Sequence, residues 1–190
     1  MMMLAVAAMA GTALFSACDN DDDPKKEEGD KPQPSETTKG AFTYYVMLNQ
    51  EALDYCQVTF DLSTNAGEKF TFDVSAAERI TYDKLDEQGK SGYQTIYDLL
   101  VKSGVKDAFF VKHTFNEQEK PAKLTVTSHF ALKEGVTLTK ENYTFLVSPY
   151  VSFDGIECSN ISYELEVSTE KMAEYLQYKN EVMSGTYEAK

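Results

Sequence analysis

The chain has 190 residues, which is room for one ordinary domain or one domain with appendages. Hydrophobic residues make up 42% and aromatics 12%, enough for a real core, while 31 acidic against 18 basic residues leave a net charge of −13. That balance argues against nucleic acid or anionic lipid headgroups as partners, because phosphate binding runs on Lys and Arg.

Met1 to Cys18 carries no charge, and Leu4 to Phe15 is an Ala-rich apolar run. It is shorter than the roughly 20 apolar residues that span a bilayer, and it has the length of a signal-peptide core. The run ends Phe15-Ser16-Ala17-Cys18. Small residues before the cut fit a signal peptidase groove, and the cysteine after it can accept lipid. This stretch resembles the lipobox of bacterial lipoproteins, with Phe15 where Leu is commoner. Asp19-Asn20-Asp21-Asp22-Asp23 follows at once and is similar to the acidic export signal of Bacteroidetes surface lipoproteins. The resemblance implies a signal peptide over residues 1–17, acyl chains on Cys18, and export directed by Asp19, Asp21, Asp22 and Asp23. It places the protein on the outer membrane, facing the exterior. It covers only about residues 1–30, so it speaks to location and not to activity. The acidic run also reads as solvating linker, since like charges repel and stay extended.

Residues 18–40 are therefore expected to be a lipidated cysteine and a disordered acidic tether. Residues 19–40 hold three of the five prolines and no large apolar residue, so nothing there repays the entropy of ordering. Its mean reach as a flexible chain is roughly 25 Å. A single β-rich domain is expected over 41–190.

Phe42 to Leu48 is apolar on both parities, as in a strand covered on both sides. Cys56 to Leu62 and Phe70 to Val74 alternate, with Asn65-Ala66-Gly67 as the turn between them. Ile80 to Tyr82 suggests a short further strand. Ser91 with Gln94 then reads as a capping box, and Tyr93, Ile96, Tyr97, Leu100 and Val101 fall on one helical face. Gly104 suits the stop, which predicts a helix over 92–103. Strands resume with Phe109, Val111, His113 and Phe115, joined as a hairpin across Asn116 to Pro121 to Leu124, Val126, Phe130 and Leu132. Tyr143 to Val147, Val151 to Phe153 and Ile161 to Val167 follow as strands. Met172, Tyr175, Leu176, Lys179, Val182 and Met183 mark a C-terminal helix capped by Ser168. The pattern predicts a mainly β fold, a β-sandwich of immunoglobulin-like or fimbrillin-like topology with one inserted helix. The alternative is an α+β fold with helices on one face of an antiparallel sheet.

Chemistry is hard to find along this chain. His113 shares the apolar parity of its strand and reads as a hydrogen-bonded core residue, whereas His129 has the polar parity of its own. Side chains on opposite faces cannot share a metal. No metal, cofactor or catalytic residue is assigned, and no phosphate loop or nucleophile elbow is present. Asp61, Asp73 and Glu164 sit at solvated strand positions. With Cys18 taken by lipid, Cys56 and Cys158 remain in an oxidising compartment, either as a disulfide across a bulge or as two separate small apolar residues. Tyr45, Tyr55, Tyr150 and Tyr178 fall off the core parity and are the candidate binding residues, since exposed rings stack on sugars and anchor interfaces.

The expectation is a lipoprotein tied to the membrane at Cys18 that acts as a non-catalytic binding or structural module of the envelope. Its ligand would be a glycan, a host protein or an envelope subunit, with no nucleic acid partner and no oligomeric state set by the sequence. A structural subunit predicts an open strand edge or a displaceable terminal segment. The rival, an enzyme or an accessory subunit of a glycan-uptake system, predicts a pocket with converging polar groups.

Overall fold

All seven residues from Phe42 to Leu48 are buried, in a strand packed on both of its faces. The computed structural model describes residues 39–105, 107–158 and 166–189. Along them run β1 (Lys39–Gly40), β2 (Phe42–Leu48), α1 (Gln50–Tyr55), β3 (Cys56–Thr64), β4 (Lys69–Asp73) and α2 (Glu87–Ser103). After these come β5 (Phe109–Thr114), β6 (Gln118–Glu119), β7 (Ala122–Leu132), β8 (Asn142–Tyr143) and β9 (Val147–Phe153). The last elements are β10 (Ile156–Glu157), β11 (Val167–Ser168), α3 (Met172–Met183) and β12 (Gly185–Ala189). Two four-stranded antiparallel sheets form a β-sandwich, sheet I in the order β10-β9-β2-β5 and sheet II in the order β12-β7-β3-β4. The pairs β1-β6 and β8-β11 are short ribbons.

The main core lies between the sheets. Phe42, Tyr44, Val46 and Leu48 of β2 belong to one buried cluster with Val58, Phe60 and Leu62 of β3 and Leu124, Val126 and Phe130 of β7. The period of two fixes this: alternate side chains of a strand share a face, so each strand gives every second residue to the core. Rings meet edge to face, Phe42 with Phe153 at 4.8 Å and Tyr44 with Phe60 at 5.3 Å between centroids, as the ring quadrupole favours.

The other face of sheet I carries a second core. Tyr45, Met47, Phe110, Leu146 and Tyr150 pack there against Leu85 and against Tyr93, Ile96 and Leu100 of α2. The helix is five residues longer at its start than the capping-box spacing predicts. Its cap is Asp86, whose Oδ1 accepts from the Gly89 N–H at 2.9 Å, and Ser91 lies inside the helix. Gly89 and Gly92 look like breakers in sequence, yet the packing requires their smallness. A Cβ on Gly92 would stand 2.6 Å from the Tyr150 ring, and one on Gly89 would stand 3.1 Å from the Tyr45 ring. The helix ends on Gly104, whose φ of 87° is the left-handed value that terminates helices without a Cβ penalty.

Sheet II keeps its outer face in water and guards its long edge instead. β12 pairs with β7 only from Ala122 to Val126. Beyond that point α3 takes over: Asn180 accepts from Phe130 N at 2.7 Å and donates to Phe130 O at 2.9 Å, and Ser184 Oγ accepts from Ser128 N at 2.9 Å. Two side chains on a helix thus satisfy ladder groups that a strand would otherwise hold, which removes an exposed edge. A third device is Tyr143, whose hydroxyl accepts from the N–H groups of Thr139 and Lys140 at 2.6 and 2.9 Å. A tyrosine that ties its own upstream turn in this way resembles the tyrosine corner of β-sandwiches.

Several expectations are corrected. β5 and β7 are not a hairpin; they lie in different sheets, because the connection carries β6, which pairs with β1. Alternation reveals a strand and its faces but not its partner. Lys39–Gly40, expected to belong to the tether, is that strand β1. Ile80 makes a single bridge to Phe110, and Tyr82–Lys84 is a 3-10 turn rather than a strand. Ser168 makes no side-chain cap, and a 3-10 turn over Thr169–Lys171 precedes α3. Cys18, Asp19, Asp21, Asp22 and Asp23, and most of the strand expected over 161–167 with Glu164, lie outside the described residues.

Gly92→Ala separates close packing from helix propensity. Propensity alone would favour Ala by about 1 kcal/mol. The Tyr150 ring, held between Tyr45 and Tyr93, has nowhere to retreat, and overpacking costs about 1–3 kcal/mol. Urea unfolding is expected to show a net loss of up to about 2 kcal/mol. A gain in stability would show that α2 is not seated as described.

Candidate functional site

α3 and β11 together form a groove of about 500 Å³. Lys171, Glu174, Tyr175 and Tyr178 stand at spacings of three and four along the helix, so they share one stripe, and Glu166, Val167 and Ser168 form the facing wall. Tyr175 is anchored: its hydroxyl donates to Phe145 O at 2.8 Å and its ring meets Phe130 edge-on at 6.2 Å. β11 is positioned by pairing with β8, where Val167 lies opposite Tyr143, and by Thr169 Oγ1 donating to Lys140 O at 2.7 Å. Tyr178 is 46% exposed. Neither its hydroxyl nor the charged ends of Glu166, Lys171 and Glu174 has a hydrogen-bond or ion-pair partner among the described residues. Among the described residues these groups are free.

Two other polar clusters hold their members by hydrogen bonds. On the outer face of sheet II, Thr71 donates to Asp61 Oδ1 at 2.7 Å and His129 Nε2 lies 3.0 Å from Asp61 Oδ2. The Thr71 hydroxyl and His129 hold the Asp61 carboxyl below its ordinary range. The order of contact is hydroxyl, carboxylate, imidazole, so His129 does not touch the hydroxyl and cannot serve it as a base. On the α2 side Asp86 accepts from Gly89 N, from Tyr45 Oη at 2.9 Å and from Lys112 Nζ at 2.6 Å. Partial burial opposes its charge, but Lys112 and the two hydrogen-bond donors outweigh it and hold Asp86 low. Burial, with the hydrogen bond to Asp86, pushes Tyr45 well up. This is a structural node that pins helix to sheet. No group of three or more metal-ligating side chains occurs among the described residues.

The four candidate tyrosines separate sharply. Tyr45 and Tyr150 are 1% and 3% exposed, their rings 5.7 Å apart beneath α2, so the expectation that they face solvent is corrected. They do point away from the inter-sheet core, as parity requires, but the helix covers that face. Tyr55 is half-buried against Tyr143 at 4.8 Å and belongs to packing. Tyr178 alone of the four is both exposed and in a groove. Lys171, Glu166 and Glu174 were not singled out in the sequence. The signal available was the helical spacing 171, 174, 175, 178, of which only Tyr175 and Tyr178 drew notice.

Cys56 and Cys158 are free thiols. Cys56 pairs in register with Leu132 at one end of β7, while Cys158 lines a cleft of about 260 Å³ with Ala189, which pairs with Ala122 at the other end. An eleven-residue strand separates them by about 30 Å, far beyond disulfide reach. Burial pushes the Cys56 thiol up to about 12 and raises Cys158 as well, so both are poor nucleophiles.

His113 is held by rings instead of the expected hydrogen bond. It stacks on Phe70 at 3.6 Å and 3°, with Phe115 edge-on at 4.8 Å, so it joins the edge strand of sheet I to that of sheet II. Compared with known protein families, with curated proteins and with solved structures, the chain matches none.

Desolvation lowers His113 below its ordinary 6.5, against the pull of nearby Glu68. The unfolded chain therefore binds this proton more readily than the folded one. The contribution of neutral His113 is whole above about pH 6.5 and is lost as pH falls through the lowered value. Paired carboxylates such as Asp61 and Asp86 lose theirs only below their ordinary 3.8. His113→Phe keeps a stacked ring and removes the titration. Stability measured between about pH 7 and 5 is expected to fall in the parent and to flatten in the variant; an equal slope in both contradicts the assignment.

Proposed function

We propose that this protein is a lipid-anchored recognition module of the bacterial outer surface, and that it takes an oligosaccharide in the α3–β11 groove. The observation that carries this reading is Tyr178, a half-exposed ring beside three charged side chains that have no partner among the described residues. A flat ring stacks on the C–H face of a sugar, and the free carboxylates and ammonium take its hydroxyls. The members of the Asp61–Thr71–His129 and Asp86–Tyr45–Lys112 clusters hold one another, so they offer a ligand less. The lipobox-like Phe15-Ser16-Ala17-Cys18 and the aspartates after it supply the address, and a second acyl chain converts reversible binding into stable attachment.

A polymerising structural subunit is the less supported form of the same address. Such a subunit needs a free strand edge, and here β7 is covered by β12 and α3, β5 is bridged by Ile80, and β10 is two residues long. β5 beyond its single bridge at Phe110 and β4 remain as edges, with Lys112 on β5 and Lys69 and Asp73 at the ends of β4, a pattern that discourages strand addition.

Residues 36–190 form one compact unit and can be prepared without the tether. On a glycan array this fragment is expected to bind, and Tyr178→Ala is expected to weaken binding about tenfold, the equivalent of about 1.4 kcal/mol. A blank array rejects the saccharide reading. The anchor is tested separately. Cys18→Ala is expected to move the full chain from the membrane fraction to the soluble one; continued membrane association with palmitate labelling would contradict the lipid assignment.

A further inference from the structure

We infer that the α3–β11 groove selects saccharides that carry free amino groups; this rests on the saccharide reading above and names the class of sugar. The groove presents Glu166 and Glu174 against a single Lys171, and no ion pair within 4.0 Å joins them among the described residues. Ion pairs do form elsewhere: Lys39 with Glu119, Lys112 with Asp86, Lys123 with Glu188, Lys140 with Glu51. Two carboxylates left open beside an exposed ring make a site suited to an ammonium group. The carboxylates attract the charge and hydrogen-bond its N–H donors, and the tyrosine face attracts a cation through its quadrupole. An amino sugar satisfies the whole groove, with its apolar ring face on Tyr178 and its ammonium at the glutamates. A neutral sugar uses only the stacking part. A sulfated or uronic sugar meets like charge in the groove and from a chain of net charge −13.

The test is calorimetric titration of the 36–190 fragment at about pH 6, where sugar amines are protonated. The probes are the β-1,4-linked trimers of glucosamine, N-acetylglucosamine and glucose, with trilysine as a fourth. The glucosamine trimer is expected to bind at least about fivefold tighter than either other sugar. Glu166→Gln and Glu174→Gln are each expected to cost about two- to fivefold toward the glucosamine trimer alone. Tyr178→Ala is expected to weaken all three sugars, and circular dichroism of each variant checks its fold. Equal affinity for the three sugars, lost with Tyr178→Ala, overturns amine selectivity and leaves the saccharide reading standing. Trilysine binding tighter than any sugar overturns both and makes the groove a peptide site. No binding by any probe overturns both as well.

Discussion

The double burial of β2 is the constraint on which the rest of the structure depends. A strand with Phe42, Tyr44, Val46 and Leu48 on one face and Tyr45 and Met47 on the other needs apolar cover on both sides. Sheet II supplies one cover. The other is α2, and its details follow from that task. Glycines at 89 and 92 let the helix approach two tyrosine rings, Asp86 caps the helix and ties it to Tyr45 and Lys112, and the Tyr93 hydroxyl donates to Ser148 O at 2.7 Å. The Tyr45 and Tyr93 hydroxyls of this layer each have an acceptor, whereas the Tyr44 hydroxyl in the inter-sheet core has none among the described residues.

Sheet II has the opposite arrangement, and the groove is its consequence. Its outer face is polar and wet, so no helix is needed there, but the eleven residues of β7 leave an edge that five-residue β12 only half covers. α3 turns toward that edge: Met172, Tyr175, Lys179 and Met183 are buried, with Asn180 and Ser184 on the exposed ladder groups. On the side toward β11, Tyr175 is anchored in the core, while Lys171, Glu174 and Tyr178 have no partner among the described residues. The groove lies beside the helix that guards this edge. That physical division separates Tyr178 from the other three tyrosines more clearly than composition does.

Strands, faces and the inserted helix were legible because period-two and period-3.6 patterns are local properties of the chain. The apolar residues on both parities of β2 imply cover on both faces, and that cover buries Tyr45 although it lies off the inter-sheet parity. What the sequence could not convey was partnership. β5 and β7 look like a hairpin until β6 is seen to pair with β1, and Cys56 and Cys158 look like a pair until β7 is seen to separate them. Short elements also escaped. α1 rests on Asn49, whose side chain accepts from Ala52 N in the helix and, 97 and 95 residues away, accepts from Leu146 N and donates to Thr144 O. The groove escaped for the same reason: its wall is β11, placed by its pairing with β8 rather than by its own pattern.

Amide chemical-shift mapping of the 36–190 fragment on addition of an oligosaccharide that it binds tests the central claim most directly. The account predicts perturbations concentrated at Glu166 to Ser168 and along Lys171, Glu174, Tyr175 and Tyr178, with sheet II's outer face silent. Shifts centred on Asp61, Thr71 and His129, with the α3 stripe unmoved, would contradict it.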